Sequence, residues 1–206
     1  MMILDLPNKT KEIQAGLNDV SNNEELLNTL TVLQNDVSVY HKVKVTAITS
    51  IKDEPLAAAF AKAYALAYSH NGSSSLIIDA NLYNPSLKEF LTEEGEECKE
   101  GEKPFKLSSI DERTKAICLE KEVYPSVVFK SGLIQKLIKD NENKYEHFIV
   151  IVPDVKTHKE VTLLSDVVDS VILVTQKNAT IKKHIYDALV FFSENNLPLA
   201  KTVILK

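Results

Sequence analysis

Three polar segments of the sequence could take part in phosphate or metal chemistry, and each directly follows a predicted strand. They lie at 49–59, 79–85 and 153–158. The first, "TSIKDEPLAAA", has the position of a phosphate-binding loop, between a strand and a helix whose free N–H groups attract anions. Because ligands bind at the carboxyl ends of parallel strands, we expect the three segments to border one crevice.

The residue types of the first segment do not suit phosphate binding. A phosphate loop needs glycines for a tight backbone curl, a lysine for the phosphate charge and a hydroxyl for Mg²⁺. Pro55 instead removes a backbone N–H group, and Asp53 and Glu54 place negative charge beside any polyphosphate. An acid before a helix with proline in its first turn is typical of a self-capped start. We therefore predict that a carboxylate of Asp53 or Glu54 takes the place of a phosphate.

The remaining polar residues of the predicted crevice are Lys52, Asp79, Asn81, His158 and Glu160. Asp79 is predicted to cap a turn or helix, and Glu160 to be an acid at a helix start, with a metal or catalytic role as the alternative. Lys52 could reach a phosphate from a displaced position. His158 is predicted to lie on a surface loop, since the five histidines of the chain share no catalytic-triad spacing.

Composition limits the function classes. The chain has 206 residues, of which 44% are hydrophobic, and a formal net charge of -5. This length suits a single globular domain, and the negative charge argues against a nucleic-acid partner. Cys98 and Cys118 have no partners at metal-ligand spacing, so we predict no metal site and a reducing compartment. Since no apolar run reaches the roughly 18 residues of a membrane span, we expect a cytoplasmic protein.

Strands and helices alternate along the sequence. Apolar, β-branched runs predict strands at 42–50, 74–80, 114–121, 147–155, 170–178 and 200–206. Longer periodic runs predict helices at 54–70, 126–143, 160–168 and 180–196. Apolar strands that alternate with helices indicate an α/β fold with a doubly wound, mostly parallel sheet and flanking helices.

The sequence predicts an N-terminal extension at 1–21 and a single domain at 22–206. Within this domain the acidic run 91–106 is predicted to be a surface loop. An amphipathic helix at about 22–35 carries a leucine stripe that consists of Leu26, Leu27, Leu30 and Leu33. The stripe fits either a core face or a docking face. We expect part of it to pack on the domain and any surplus to form an exposed patch for a partner, so that a chain without residues 1–36 folds but no longer binds.

Several segments, in order, resemble the bacterial tyrosine kinases of capsular and exopolysaccharide export, which are deviant P-loop ATPases related to MinD and ParA. Residues 45–87 resemble a stretch of the family pattern in which a phosphate loop is followed by an alanine-rich helix, a glycine and the segment LLIDADLRxPSL. "YEHFIVIVPDV" (145–155) resembles its YDYVIIDTPPV strand, and 163–180 resembles LASLVDGVLLVVRAGxT. The resemblance covers about residues 22–206 and implies a P-loop NTPase-like fold.

The catalytic positions of the family pattern are replaced in this sequence. On an alignment without gaps, the phosphate-loop glycines become Glu54 and Leu56. The phosphate-binding lysine becomes Ala57, and the Mg²⁺-binding hydroxyl becomes Ala58. The Walker B aspartate becomes Ile151. These replacements predict that neither ATP nor Mg²⁺ is bound.

The second motif is partly retained. Asp79 is kept, its partner acid becomes Asn81 and the following arginine becomes Tyr83. The family's later acidic position falls on Glu160. An alternative is therefore an ATP-dependent tyrosine kinase or ATPase with an unorthodox nucleotide site around Lys52, Asp79 and Glu160. A second alternative is a non-hydrolysing structural subunit of the MinD and ParA kind.

The leading prediction is a catalytically inactive relative of these kinases that acts as a binding or regulatory module. By resemblance, the expected partner is a membrane-embedded chain-length regulator or an active kinase paralogue. A homodimer is the other expected assembly, and a partner would hold the chain at the membrane periphery.

Overall fold

The computed structural model describes residues 2–4, 16–17, 19–39, 43–91, 105–119 and 124–205. Within these ranges an eight-stranded sheet has the order β1-β8-β7-β2-β6-β3-β5-β4. Its strands are β1 (Met2–Leu4), β2 (Val45–Ser50), β3 (Ser75–Asp79), β4 (Phe105–Ser109), β5 (Thr114–Leu119), β6 (His147–Ile151), β7 (Ser170–Gln176) and β8 (Leu199–Leu205). Neighbouring strands are parallel except β4 and β5. The predicted α/β fold with a mostly parallel sheet is confirmed.

Helices cover both faces of this sheet. They are α1 (Glu24–Ser38), α2 (Glu54–His70), α3 (Pro125–Lys130), α4 (Leu133–Asn141) and α5 (Lys182–Glu194). One hydrophobic core joins α1 and α2 to the sheet, and a second joins α3, α4 and α5 to its other face. Every residue of β2 and β3 is buried, which explains why their apolar residues do not alternate with exposed polar ones. In the described part of the chain, no helix has the length and apolar character needed to cross a membrane.

Helix α2 begins and ends where local signals predict. Asp53 is its N-cap residue, and the chain leaves the helix through Gly72, which has a φ of 86°. Only glycine adopts this left-handed conformation without a steric cost, so the residue suits a helix end. The alanines of α2 let the helix backbone lie close to the sheet, and Ala58 and Ala59 are both 0% exposed.

The leucine stripe of α1 belongs to the core. Its four leucines are at most 5% exposed. Gln34 Nε2 donates a hydrogen bond of 2.7 Å to the Tyr64 carbonyl of α2, and Lys201 of β8 forms a 2.9 Å ion pair with Asp36. The prediction that part of the stripe stays exposed for a partner is therefore wrong. Because the helix closes one core, the sheet is no longer expected to fold without residues 1–36.

Three elements differ from the sequence prediction in type or extent. The helix predicted at 126–143 is split into α3 and α4, because Gly132 between them has a φ of 73°. The predicted helix at 160–168 is a 3-10 turn at Glu160–Leu164. The strand predicted at 147–155 ends at Ile151, two residues before a proline that cannot donate to a sheet ladder.

Two strands of the sheet were not predicted. Met2–Leu4, from the predicted N-terminal extension, pairs in parallel with the end of β8. Phe105–Ser109 pairs antiparallel with β5, so the predicted loop at 91–106 leads into an edge strand. Most of that acidic run, including Cys98, lies outside the described residues.

Candidate functional site

The three predicted polar segments meet at the carboxyl ends of β2, β3 and β6, which are neighbours in the sheet. Thr49 Oγ1, in β2, donates a hydrogen bond of 2.8 Å to the Pro153 carbonyl after β6. The Ala80 N–H group, just after β3, donates to the Ile151 carbonyl at 2.9 Å. We call this edge, formed by 49–59, 79–87 and 153–160, the crevice.

The turn at the start of α2 is capped by its own carboxylate. Asp53 Oδ1 accepts a hydrogen bond of 3.1 Å from the Leu56 N–H group. Burial raises the pKa of Asp53, and the hydrogen bond from Leu56 lowers it in part. Glu54 does not cap the helix, because its Oε2 accepts from Asn84 Nδ2 at 2.7 Å. Of the two predicted carboxylates, Asp53 is the one that satisfies the helix start.

The next positions that the resemblance aligns with a phosphate loop are part of the core. Leu56, Ala57 and Ala58 are at most 1% exposed and pack in the core beneath α2. Ile151, at the Walker B position, is 2% exposed and pairs in register with Asp79 of β3. None of these four side chains can neutralise a phosphate or bind a metal ion, so the position does not fit a Mg-nucleotide in the usual way.

Lys52 is exposed and lies at the outer end of the turn, directly before Asp53. Its φ of 62° is in the left-handed region that favours glycine. The structure therefore leaves the Lys52 side chain exposed to solvent, directly before the helix start that Asp53 caps.

Asp79 holds the turn that follows β3. Its two carboxylate oxygens accept hydrogen bonds from the Asn81 N–H group at 3.1 Å and from the Leu87 N–H group at 2.9 Å. Burial raises the pKa of Asp79 to about 6, although these backbone hydrogen bonds oppose the shift. Asn81 Oδ1 accepts in turn from the Asn84 N–H group at 3.3 Å. The predicted capping role of Asp79 is confirmed, and Asn81 extends it.

Tyr83 connects the second crevice segment to the third. Its hydroxyl donates a short hydrogen bond to Glu160 Oε1. Its ring stacks on His158, with ring centroids 3.6 Å apart and planes inclined by 20°. The hydrogen bond to Glu160 raises the pKa of Tyr83 to about 12. Glu160 Oε2 is buried and has no hydrogen-bond partner among the described residues.

Asp154 is a crevice residue that the sequence reasoning missed. It is 5% exposed, and its Oδ1 accepts from the Lys156 N–H group at 2.8 Å. Its carbonyl accepts from the His158 N–H group at 2.9 Å. The Pro-Asp dipeptide after a strand is a usual turn signal and could have identified this role. The contact between Tyr83 and Glu160 has no comparable local signal.

The described residues at this edge of the sheet support neither a metal site nor a reactive thiol. Among the described residues, no group of three or more His, Cys, Asp or Glu side chains could hold a metal ion. Cys118 pairs in register with Asp79. Burial, and then the nearby Asp79 carboxylate, raise the pKa of the Cys118 thiol to about 12, so the thiolate that would react is disfavoured.

Comparison with known proteins identifies the fold. No protein-family model matches the chain, and no curated protein matches its sequence. The chimerical protein CapA2B2 is similar in structure, with a TM-score of 0.81, 16% identity and coverage of 100% of this chain and 93% of that one. The kinase domain of Escherichia coli tyrosine kinase ETK has a TM-score of 0.72 and 15% identity over 92% of this chain and 80% of its own.

A third similar structure is the BceF tyrosine kinase domain, with a TM-score of 0.70 and 16% identity over 88% of this chain and 76% of that domain. The fold is thus of the P-loop NTPase-like α/β class. Within that class, the chain has the fold of bacterial tyrosine kinase domains, which confirms the resemblance at the level of the fold.

Proposed function

We propose that this chain is a catalytically inactive relative of the polysaccharide-export tyrosine kinases. It acts as a cytoplasmic binding or regulatory module in capsular or exopolysaccharide biosynthesis. Its partner is a membrane-embedded chain-length regulator or an active kinase paralogue, and not a nucleic acid. The kinase-domain fold supports the relationship, and the crevice residues support the loss of catalysis.

The observation that carries the proposal is the capped turn at 53–56. In a working phosphate loop, nucleotide phosphates take the N–H groups at the helix start. Here the Asp53 carboxylate already accepts the Leu56 N–H group, and Pro55 has no N–H group to offer. A phosphate would also meet the Asp53 charge, at a cost of about 4 kcal/mol for two unit charges 4 Å apart near a protein surface.

Side-chain contacts between the crevice segments support the same interpretation. Asn84 joins the second segment to Glu54 in the first. Tyr83 joins the second segment to His158 and Glu160 in the third. These contacts join the three segments of the crevice to one another, so we expect a nucleotide that enters between the segments to break some of them.

Titration with Mg-ATP and Mg-ADP at millimolar concentration tests the loss of nucleotide binding. We expect no calorimetric signal and no rise in melting temperature. A ligand that binds only the native state, at 100 times its dissociation constant, would stabilise the fold by about 2.7 kcal/mol. Saturable binding with micromolar affinity would contradict the proposal and favour the kinase or ATPase alternative, with Lys52→Ala as the next variant to test.

The regulatory role has a separate test. The chain is added to an active tyrosine kinase encoded in the same genome, and the ATP turnover and autophosphorylation of that kinase are measured. A change that saturates with added chain supports a regulatory module. Unchanged kinetics together with no complex in sedimentation would count against the kinase paralogue as the partner.

A further inference from the structure

The outer face of α5 is unusually apolar for a helix surface turned toward solvent. Tyr186 is 66% exposed and Leu189 is 37% exposed. Val190 is partly exposed beside them. These residues lie three and four positions apart and therefore share one side of the helix, opposite the buried Ala188 and Phe192. We call Lys182, Lys183, Tyr186, Leu189 and Val190 the α5 face.

The N-terminal end of the α5 face is basic. The first turn of α5 contains Lys182, Lys183 and His184 and no acidic residue. Cations at a helix N-terminus interact unfavourably with the helix dipole, so helix stability does not account for the basic residues in this turn. Exposed Ile181, at 61%, lies directly before the two lysines. Basic and apolar groups are thus exposed side by side.

Residues outside α5 enlarge the basic region. Lys177 is exposed in the turn that leads to the helix. Lys156 reaches α5 from the third crevice segment, with its Nζ 2.8 Å from His184 Nε2. The acids of the helix, Asp187 and Glu194, lie seven positions apart on one flank of the α5 face. The region is therefore locally positive in a chain whose net charge is -5.

We propose that the α5 face docks on an anionic lipid surface. Lysines next to exposed tyrosine and aliphatic side chains are the combination that binds the headgroup layer of a membrane, where the lysines meet anionic lipids. The inference goes beyond the proposed function, because it gives the chain a direct contact with lipid in addition to any protein partner.

The size of the α5 face favours lipid over an acidic protein. A helix of 13 residues is about 20 Å long, with a diameter of about 10 Å. The area that its outer face offers is far below the roughly 800 Å² per partner of a standard protein interface. Membrane binding needs only a few inserted side chains and a few lysines near the headgroups.

Sedimentation with vesicles tests the proposal. Vesicles of phosphatidylcholine alone are compared with vesicles that contain about 30% phosphatidylserine, at low and at physiological salt. We expect the chain to bind the anionic vesicles at least about tenfold more tightly than the neutral ones. We expect K182E/K183E to lose at least about tenfold of this binding, and Y186S/L189S to lose a comparable part.

Two matched variants separate the α5 face from general charge and polarity. K136E/K139E makes the same charge change with exposed lysines of α4. Y124S/V127S removes another exposed aromatic and aliphatic pair, with Tyr124 at 70% and Val127 at 61%. Both should bind like the parent chain, and circular dichroism checks that every variant is folded. Equal binding to neutral and anionic vesicles, or equal losses in the control variants, would overturn the proposal. Binding to neither vesicle type would also overturn the proposal, and an acidic protein would then be the occupant to test.

Discussion

Asp53 caps the start of α2, and its contribution to stability can be measured. Substitution of Asp53 by alanine removes the acceptor of the Leu56 N–H group, so we expect the free energy of unfolding to fall by about 1 kcal/mol. Asparagine at this position also caps a helix and should retain most of the stability. Urea denaturation of both variants gives the comparison.

Glu54 provides the control for this prediction, because it is an adjacent acid that does not cap α2. Its contact with the Asn84 side chain is exposed, so Glu54→Ala should cost less than Asp53→Ala. A larger loss for Glu54→Ala would mean that the stabilising carboxylate has been assigned to the wrong residue.

Asp79 should make stability depend on pH. Burial raises its pKa to about 6 from an ordinary value of 3.8, so between these values the folded state holds a proton that the unfolded chain releases. The stabilisation from this proton is fully present below the unfolded pKa and is lost as pH rises through the folded pKa.

The comparison that isolates this effect is between the parent chain and Asp79→Asn. The free energy of unfolding of the parent, relative to the variant, should increase as the pH falls from about 7 to about 4. Denaturation curves at several pH values measure it. A difference that does not change with pH would show that burial does not perturb the carboxyl as described.

At the residue scale, sequence predicted the roles that depend on near neighbours. The capping of α2 by Asp53 and the turn held by Asp79 both involve groups within eight positions along the chain. Tyr83 and Glu160 are 77 positions apart, and their contact depends on how two loops align after the sheet has formed. No local pattern contains that information.

At the scale of elements, α1 is expected to stabilise the fold strongly. Leu30 is 0% exposed, and Leu30→Ala should cost about 2–5 kcal/mol because it leaves a cavity in the core. This cavity would lie in the core that α1 shares with α2. Val32, on the same helix, is 54% exposed, so Val32→Ala should change stability by less than about 0.5 kcal/mol. Thermal and urea unfolding of the two variants compare them directly.

Similar losses for the two variants, or a small loss for Leu30→Ala, would contradict the core assignment of α1.

The amphipathic pattern of α1 was clear in the sequence, but its apolar face fitted either a core face or a docking face. The burial of its leucines and the contacts of Gln34 and Asp36 with other elements decide that this face belongs to the core.

Element ends were predictable where a strong local signal lies on them. The bounds of α2 match the prediction because Asp53 and Gly72 end it on either side. The break at Gly132 was missed, because an isolated glycine in a helical pattern is often tolerated. Strand β4 was missed because its pairing with β5 is set by tertiary structure, and it has only five residues.

For the molecule as a whole, the crevice contacts should make its segments open together. Tyr83→Ala removes both the stack on His158 and the hydrogen bond to Glu160. A hydrogen bond to a charged group is worth about 1.5 kcal/mol or more. Its loss should therefore make opening of these segments easier and hydrogen exchange roughly tenfold faster. We expect this acceleration in 79–87 and in 153–160 simultaneously, as measured by mass spectrometry.

Tyr124→Ala is the matched variant, since Tyr124 is 70% exposed and is not part of the crevice. It should leave exchange in both crevice segments unchanged. Faster exchange in 79–87 alone, after Tyr83→Ala, would show that the segments open independently and that Tyr83 does not couple them.

The pairing of β1 with β8 has a consequence for the order of events during synthesis. Among the described strands, β8 is the neighbour of β1 in the sheet, and Met2 pairs with Val203 at nearly the opposite end of the chain. Such distant contacts are slow to form, because the intervening chain must first be ordered. Strand β1 therefore leaves the ribosome long before its partner β8, and its apolar Ile3 and Leu4 stay available to other contacts in the meantime.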